Sequence, residues 1–209
     1  QPWSPHFAFS KESLKGMLKF GLPYQLNTFI ALVKDDVLSL FLGGILGIGN
    51  FALFDWARKW GQAPLRFFMD QVIKVTFPAF SRVQGQKQEL ENMVSRSIFF
   101  VCFLVFPSIA GLLILAPIII DVIPRYEQWR PALFALGLFG VSAFFAAVTT
   151  PLTNLLNAIG KIKITSYLMI MWTVLSWAFI PYLTIKYGVN GAAIGYALVS
   201  SSSVIAIFV

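Results

Sequence analysis

Long apolar runs, each of about the length that crosses a bilayer as a helix, follow one another along almost the whole of this chain. A hydrocarbon core about 30 Å thick takes roughly 20 helical residues, and six runs meet that length, at about 22–42, 51–80, 97–120, 131–159, 164–185 and 191–209. The runs are too long for barrel strands and show no period-two alternation, so the expected fold class is an all-α polytopic membrane protein with six transmembrane helices. Composition agrees, with 57% hydrophobic residues, 12% charged residues and a mean hydropathy of +0.75. Residues 1–21 hold "FSKESLKGMLKF", which reads as an amphipathic cytoplasmic approach segment, with Ser10 as the N-cap and its lysines toward anionic lipid. Residues 22–209 form the membrane lobe. The chain starts at Gln1 and stops within "SSSVIAIFV", so it reads as an excerpt of a longer protein.

Lys and Arg placement sets the expected orientation. With six spans, Lys11, Lys15, Lys19, Arg82, Lys87, Arg96, Lys161 and Lys163 fall on one side, and Arg125, Arg130 and Lys186 on the other. The N-terminus, the loop "SRVQGQKQELENMVSRS" and the turn "GKIK" are therefore expected in the cytoplasm. Tyr126, Trp129, Tyr182 and Tyr187 then lie at the outer interface, where amphipathic rings settle. This loop bias also explains the basic balance, so no nucleic-acid partner is implied.

Charges inside the spans are the anomaly. The stretch "FIALVKDDVLSLFLGG" carries Lys34, Asp35 and Asp36 between apolar flanks. In the second run Asp55, Lys59, Gln62, Arg66, Asp70 and Lys74 recur at spacings of three and four, with Arg58 at the edge. On a helix these form one polar stripe. A charge facing lipid at mid-depth costs about 2.5 kcal/mol or more, so the stripe must face water or protein. Asp55 with Lys59, Arg66 with Asp70 and Asp70 with Lys74 are expected as i,i+4 pairs. Pro64, near Gly61, invites a kink. Lys34 and Asp35 share one face of the first span with Tyr24, Asn27 and Thr28, while Asp36 is expected about 100° further round, nearer Gln25 and Ser39. Two charged helix faces suggest a shared aqueous cleft; the competing reading is structural ion pairs between helices.

Elsewhere the sequence is quieter. His6 reads as solvated, and Cys102 lies in an apolar run, so neither a disulfide framework nor a metal site is available. Aromatic runs such as "SIFFV" read as lipid-facing or packing residues. Gly191 and Gly195 in "GAAIGYALVSSSS" read as a close-packing helix face. Asn154 and Asn157 read as caps or packing groups. No phosphate loop, zinc motif or nucleophile and base set is present, so no catalytic residue, metal or cofactor is assigned and the chain does not read as an enzyme.

The segments "KFGLPYQLNTF", "FPAFSRVQGQ", "LLNAIGKIKI" and "YGVNGAAIGYALVS", in this order, resemble the polysaccharide transporter family, the O-antigen and exopolysaccharide flippases of bacterial inner membranes. That family shares a superfamily with the MATE drug exporters. The resemblance implies a MATE-like transporter of two pseudo-symmetric lobes, with this excerpt as the C-terminal lobe of six helices. It implies multi-pass insertion in the bacterial inner membrane and movement of an undecaprenyl-diphosphate-linked oligosaccharide to the periplasmic leaflet by alternating access. The implied partners are that lipid-linked substrate, membrane lipids, the N-terminal lobe of the same chain, and polymerase and export components. Lys34, Arg58, Lys59, Arg66 and Lys74 are the cations available for its diphosphate headgroup. Asp35, Asp36, Asp55 and Asp70 either bind a coupling ion or serve as charge partners. A MATE-like cation-coupled antiporter is the alternative, with a polysaccharide polymerase or ligase behind it. The antiporter is expected to show carboxylates in excess in its cavity, and the polymerase a long periplasmic loop.

Overall fold

A computed structural model describes residues 10–208, so His6 and the end of the sixth run, Val209, lie outside the described residues. The fold is all-helical, and four of its helical stretches are long and apolar enough to cross a membrane. Helix α1 (Lys11–Leu32) begins at Ser10, whose Oγ accepts the Ser13 N–H at 3.3 Å, as the sequence predicts for the N-cap. A π-helical turn, Val33–Val37, joins it to α2 (Leu38–Arg82). Helix α3 (Lys87–Val122) leads through a 3₁₀ turn, Tyr126–Ala132, to α4 (Leu133–Ala158), and α5 (Ile162–Phe208) completes the described chain.

Two of these helices are broken by glycine. Gly47 in α2 has φ 72° and ψ 167°, and Gly188 in α5 has φ 60° and ψ −138°. Side chains with a Cβ disfavour such backbone, whereas glycine adopts it freely. At each break the chain folds back on itself. A Cβ on Gly43 would stand 3.6 Å from the Phe51 Cγ, and a Cβ on Gly195 would stand 3.0 Å from the Ile180 Cα. In a straight helix residues fifteen apart are about 22 Å apart. Both contacts join residues nearly equally far from the glycine between them, as the two arms of a helical hairpin require.

The expectation for the segment after α2 needs correction, whereas Pro64 lies within α2 with helical backbone, the only non-helical backbone in that helix being at Gly47. Proline lacks one backbone donor, but neighbouring helices support the rest of the ladder. Gly61 instead serves close approach, since a Cβ there would lie 2.6 Å from the Phe139 Cβ on α4. Most of "SRVQGQKQELENMVSRS" is helix: only residues 83–86 interrupt it. Lys87 and Glu91 pair at 3.8 Å along the first turns of α3.

Helix α4 packs against α2, α3 and α5, while α1 packs against α5. Small residues allow this. A Cβ on Gly140 of α4 would meet Ile109 and Leu113 of α3, and the Gly140 backbone nitrogen also lies close to Gly61. Three buried clusters follow one another along the bundle, around Phe54 and Phe139, around Val105 and Ala147, and around Phe80 and Ala158. Gly47 and Trp129 line one shared hollow, so the α2 break and the connection from α3 to α4 lie at the same end. There Trp129 stacks on Trp56 with ring centroids 5.3 Å apart, and Arg130 pairs with Asp121.

Candidate functional site

A cavity of about 580 Å³ opens where α1, the π turn, α2, α4 and α5 meet. The π turn supplies Lys34, Asp35 and Asp36, and α2 supplies Arg58, Gln62 and Arg66. Ser142 of α4 and Ser176, Tyr196 and Ser200 of α5 complete the polar wall. Part of each charged face noted in the sequence therefore lines one hollow.

The π turn explains how three consecutive charges share it. A π turn inserts one extra residue into a helix, widening the turn and shifting the register of the residues beyond it. The expectation that Asp36 points away from Lys34 and Asp35 assumes 100° per residue throughout, and it is corrected: all three line the cavity. Widened turns leave carbonyls without regular partners, and here the Trp177 indole Nε1 donates to the Val33 carbonyl at 3.3 Å. Trp177 also lies 5.6 Å from the Phe41 ring. Trp177→Phe keeps an aromatic ring and removes the donor, which is worth about 1 kcal/mol for a neutral hydrogen bond. The expected result is a melting temperature in detergent lower by a few degrees, read by thermal unfolding.

The cations in the cavity are held differently. Lys34 Nζ pairs with Asp35 Oδ1 at 3.0 Å, so its charge is largely answered. Arg58 donates to the Tyr196 hydroxyl at 3.4 Å and lies 5.9 Å and 6.0 Å from the Phe54 and Tyr196 ring centroids. Those contacts orient the guanidinium without neutralising it. Arg66 donates to Gln62 Oε1 at 3.1 Å, again a neutral partner. Asp36 is exposed and has no ion-pair partner among the described residues.

The remaining stripe residues lie elsewhere. Asp55 and Lys59 pair at 2.6 Å as expected, but off the cavity, with the Lys59 side chain 71% exposed. Asp70 is exposed and also off it. The expected pairs Arg66 with Asp70 and Asp70 with Lys74 do not form. Arg66 reaches back to Gln62, and an acid placed after its base is the weaker helical order. Lys74 bonds Gln71 at 3.5 Å and lines a second hollow of about 400 Å³ with Tyr24, Asn154 and Asn157. The stripe covers 55–74, about 28 Å of helix, which is nearly the full bilayer and longer than one such cavity reaches. Asn154 binds α4 to α2 by donating to Thr76 Oγ1 at 3.2 Å.

Sequence reasoning missed Tyr196, Ser200 and Ser176. Tyr196 and Ser200 sit four apart in the segment read as a packing face, and a lone tyrosine among small residues there was the available signal. Gly191 and Gly195 do pack closely, as expected from that segment.

The family model for polysaccharide biosynthesis proteins matches residues 1–133. The chain belongs to the polysaccharide biosynthesis protein family. It is 25% identical over 200 residues to the lipopolysaccharide biosynthesis protein WzxC of Escherichia coli K12, covering 94% of this chain and 40% of that protein. It is 21% identical over 185 residues to an uncharacterized membrane protein in the cps region of Klebsiella pneumoniae, covering 88% of this chain and 38% of that protein. With the amylovoran biosynthesis protein AmsL of Erwinia amylovora the figures are 22% over 177 residues, 83% and 44%. The chain thus spans about two fifths of the length of these relatives. No solved structure matches it. Family membership agrees with the resemblance read from the four motifs, and with a multi-pass membrane protein of polysaccharide biosynthesis.

Proposed function

We propose that this chain is the C-terminal lobe of a flippase that carries an undecaprenyl-diphosphate-linked oligosaccharide across the bacterial inner membrane. The observation that carries the reading is the polar cavity inside a family member of polysaccharide biosynthesis, with Arg58 and Arg66 held by neutral partners. A diphosphate needs cations that are not already neutralised, and planar guanidinium groups bind its oxygens in pairs. The hairpin contacts about Gly47 and Gly188 support six spans, because each divides a long helix into two arms able to cross the bilayer. Basic residues at the α2 to α3 and α4 to α5 connections support a cytoplasmic N-terminus for this segment. Rocking of two lobes about the cavity moves the headgroup with no bond made or broken, so no catalytic group is assigned.

The cavity holds three bases against two carboxylates, which favours an anionic headgroup over the cationic substrate of a drug antiporter. Deleting the gene for the full protein is expected to stop surface polysaccharide and to trap lipid-linked repeat units on the cytoplasmic leaflet, read by their resistance to an impermeant labelling reagent. Repeat units already on the outer leaflet would instead indicate a polymerase and sink the flippase reading.

A further inference from the structure

Apart from the charged cavity, the described residues form a groove of about 830 Å³ between α2 and α3. Its walls are apolar, with Val72 and Val75 on one side and Phe99 and Phe100 on the other, and Arg96 stands at its rim. Arg96 is exposed and has no ion-pair or hydrogen-bond partner among the described residues. The groove sits near the end of the bundle where α2 turns into α3. From Phe99 to Ile120 the third helix carries no charge, its Ser108 hydroxyl donating back to the Leu104 carbonyl, and runs about 33 Å, so Arg96 falls where hydrocarbon gives way to headgroups. Away from Arg96 the apolar wall continues in exposed Phe67 of α2 and Phe103 of α3, the latter stacked on Phe99 at 6.1 Å.

We infer that this groove is a binding site for an anionic phospholipid of the phosphatidylglycerol class, with an acyl chain between Val75 and Phe99 and its phosphate on Arg96. An uncommitted guanidinium at headgroup depth matches a phosphodiester in charge and geometry. The exposed aromatic and aliphatic wall below it matches an acyl chain. A zwitterionic lipid offers the same chain but no net charge, so Arg96 gives selectivity. This inference does not depend on transport of a polysaccharide lipid.

The test uses the full-length protein in vesicles of phosphatidylglycerol and phosphatidylethanolamine, with a photoactivatable phosphatidylglycerol present as tracer. Adducts are expected on the peptide covering 95–100, and Arg96→Gln is expected to reduce them at least fivefold, while Arg82→Gln leaves them unchanged. The same tracer built on phosphatidylethanolamine is expected to label that peptide at least fivefold less. Val75→Trp, which fills the groove and keeps the charge, is expected to cut labelling as well. Three results would each overturn the site: labelling spread evenly over the lipid-facing helices, labelling indifferent to Arg96, or displacement of the tracer by undecaprenyl phosphate at a tenth of the mole fraction needed for phosphatidylglycerol. The last would assign the groove to the polyprenyl lipid.

Discussion

Replacing Arg58 and Arg66 together by glutamine is expected to lower export of the lipid-linked oligosaccharide at least about tenfold, with the amount of protein in the membrane unchanged. A hydrogen bond to a charged partner contributes about 1.5–3 kcal/mol, and 1.4 kcal/mol is about a factor of ten. Water and salt in an open cavity screen part of that, so about tenfold for the pair is the lower bound. Both residues are expected to tolerate the change structurally. Arg66 loses only its contact to Gln62, and Arg58 its contacts to Tyr196 and Phe54. Lys34→Gln is expected to do less to substrate affinity, since Asp35 already answers its charge. Arg66→Lys keeps charge but loses the planar fork, and is expected to recover only part of the activity. Complementation of a flippase-deficient strain measures all of these variants. Normal export by the double variant at an unchanged protein level would remove the anion site altogether.

What the sequence made legible was the presence of the charges, not their partition. An apolar background makes any charge conspicuous, so Lys34, Asp35 and Arg66 stand out without a structure. Spacing at three and four places Asp55 through Lys74 on one face. It does not say that a helix as long as the bilayer is thick passes several environments, so that Lys59 ends near the surface, Arg66 in one hollow and Lys74 in another. The π turn has no signature in residue type. Only tertiary contacts such as the Trp177 bond to Val33 accommodate it, and these join residues far apart in the chain. Both helix breaks fall in the gaps between expected spans, 43–50 and 186–190, where Gly47 and Gly188 take backbone with positive φ that glycine adopts most easily.

The second large effect is structural and tests the hairpin at Gly188. Gly191 and Gly195 are four apart and lie on the arm that returns along Ile180 and Leu183, the small-residue spacing that lets helix backbones touch. A methyl on Gly191 would overlap the Leu183 carbonyl oxygen and stand 2.6 Å from its carbon, while one on Gly195 would meet the Ile180 backbone at 3.0 Å. Backbone cannot rotate away as a side chain can, so the arms must separate and undo the packing of Ile180, Ala192 and Ala193 against Phe54 and Phe139. Overpacking of ordinary cores costs about 1–3 kcal/mol. Gly191→Ala is expected to reach at least the top of that range, because the obstacle is main chain, and to reduce folded protein in the membrane several-fold. Gly137→Ala and Gly44→Ala, where a Cβ meets nothing within 4 Å, are expected to be neutral or slightly stabilising, since alanine favours helix over glycine by up to about 1 kcal/mol. Fluorescence-detected size exclusion of tagged variants separates the two outcomes. If Gly191→Ala folded as well as Gly137→Ala, the arms on either side of Gly188 could not be in backbone contact, and the six-span reading would lose its support at that end of the chain.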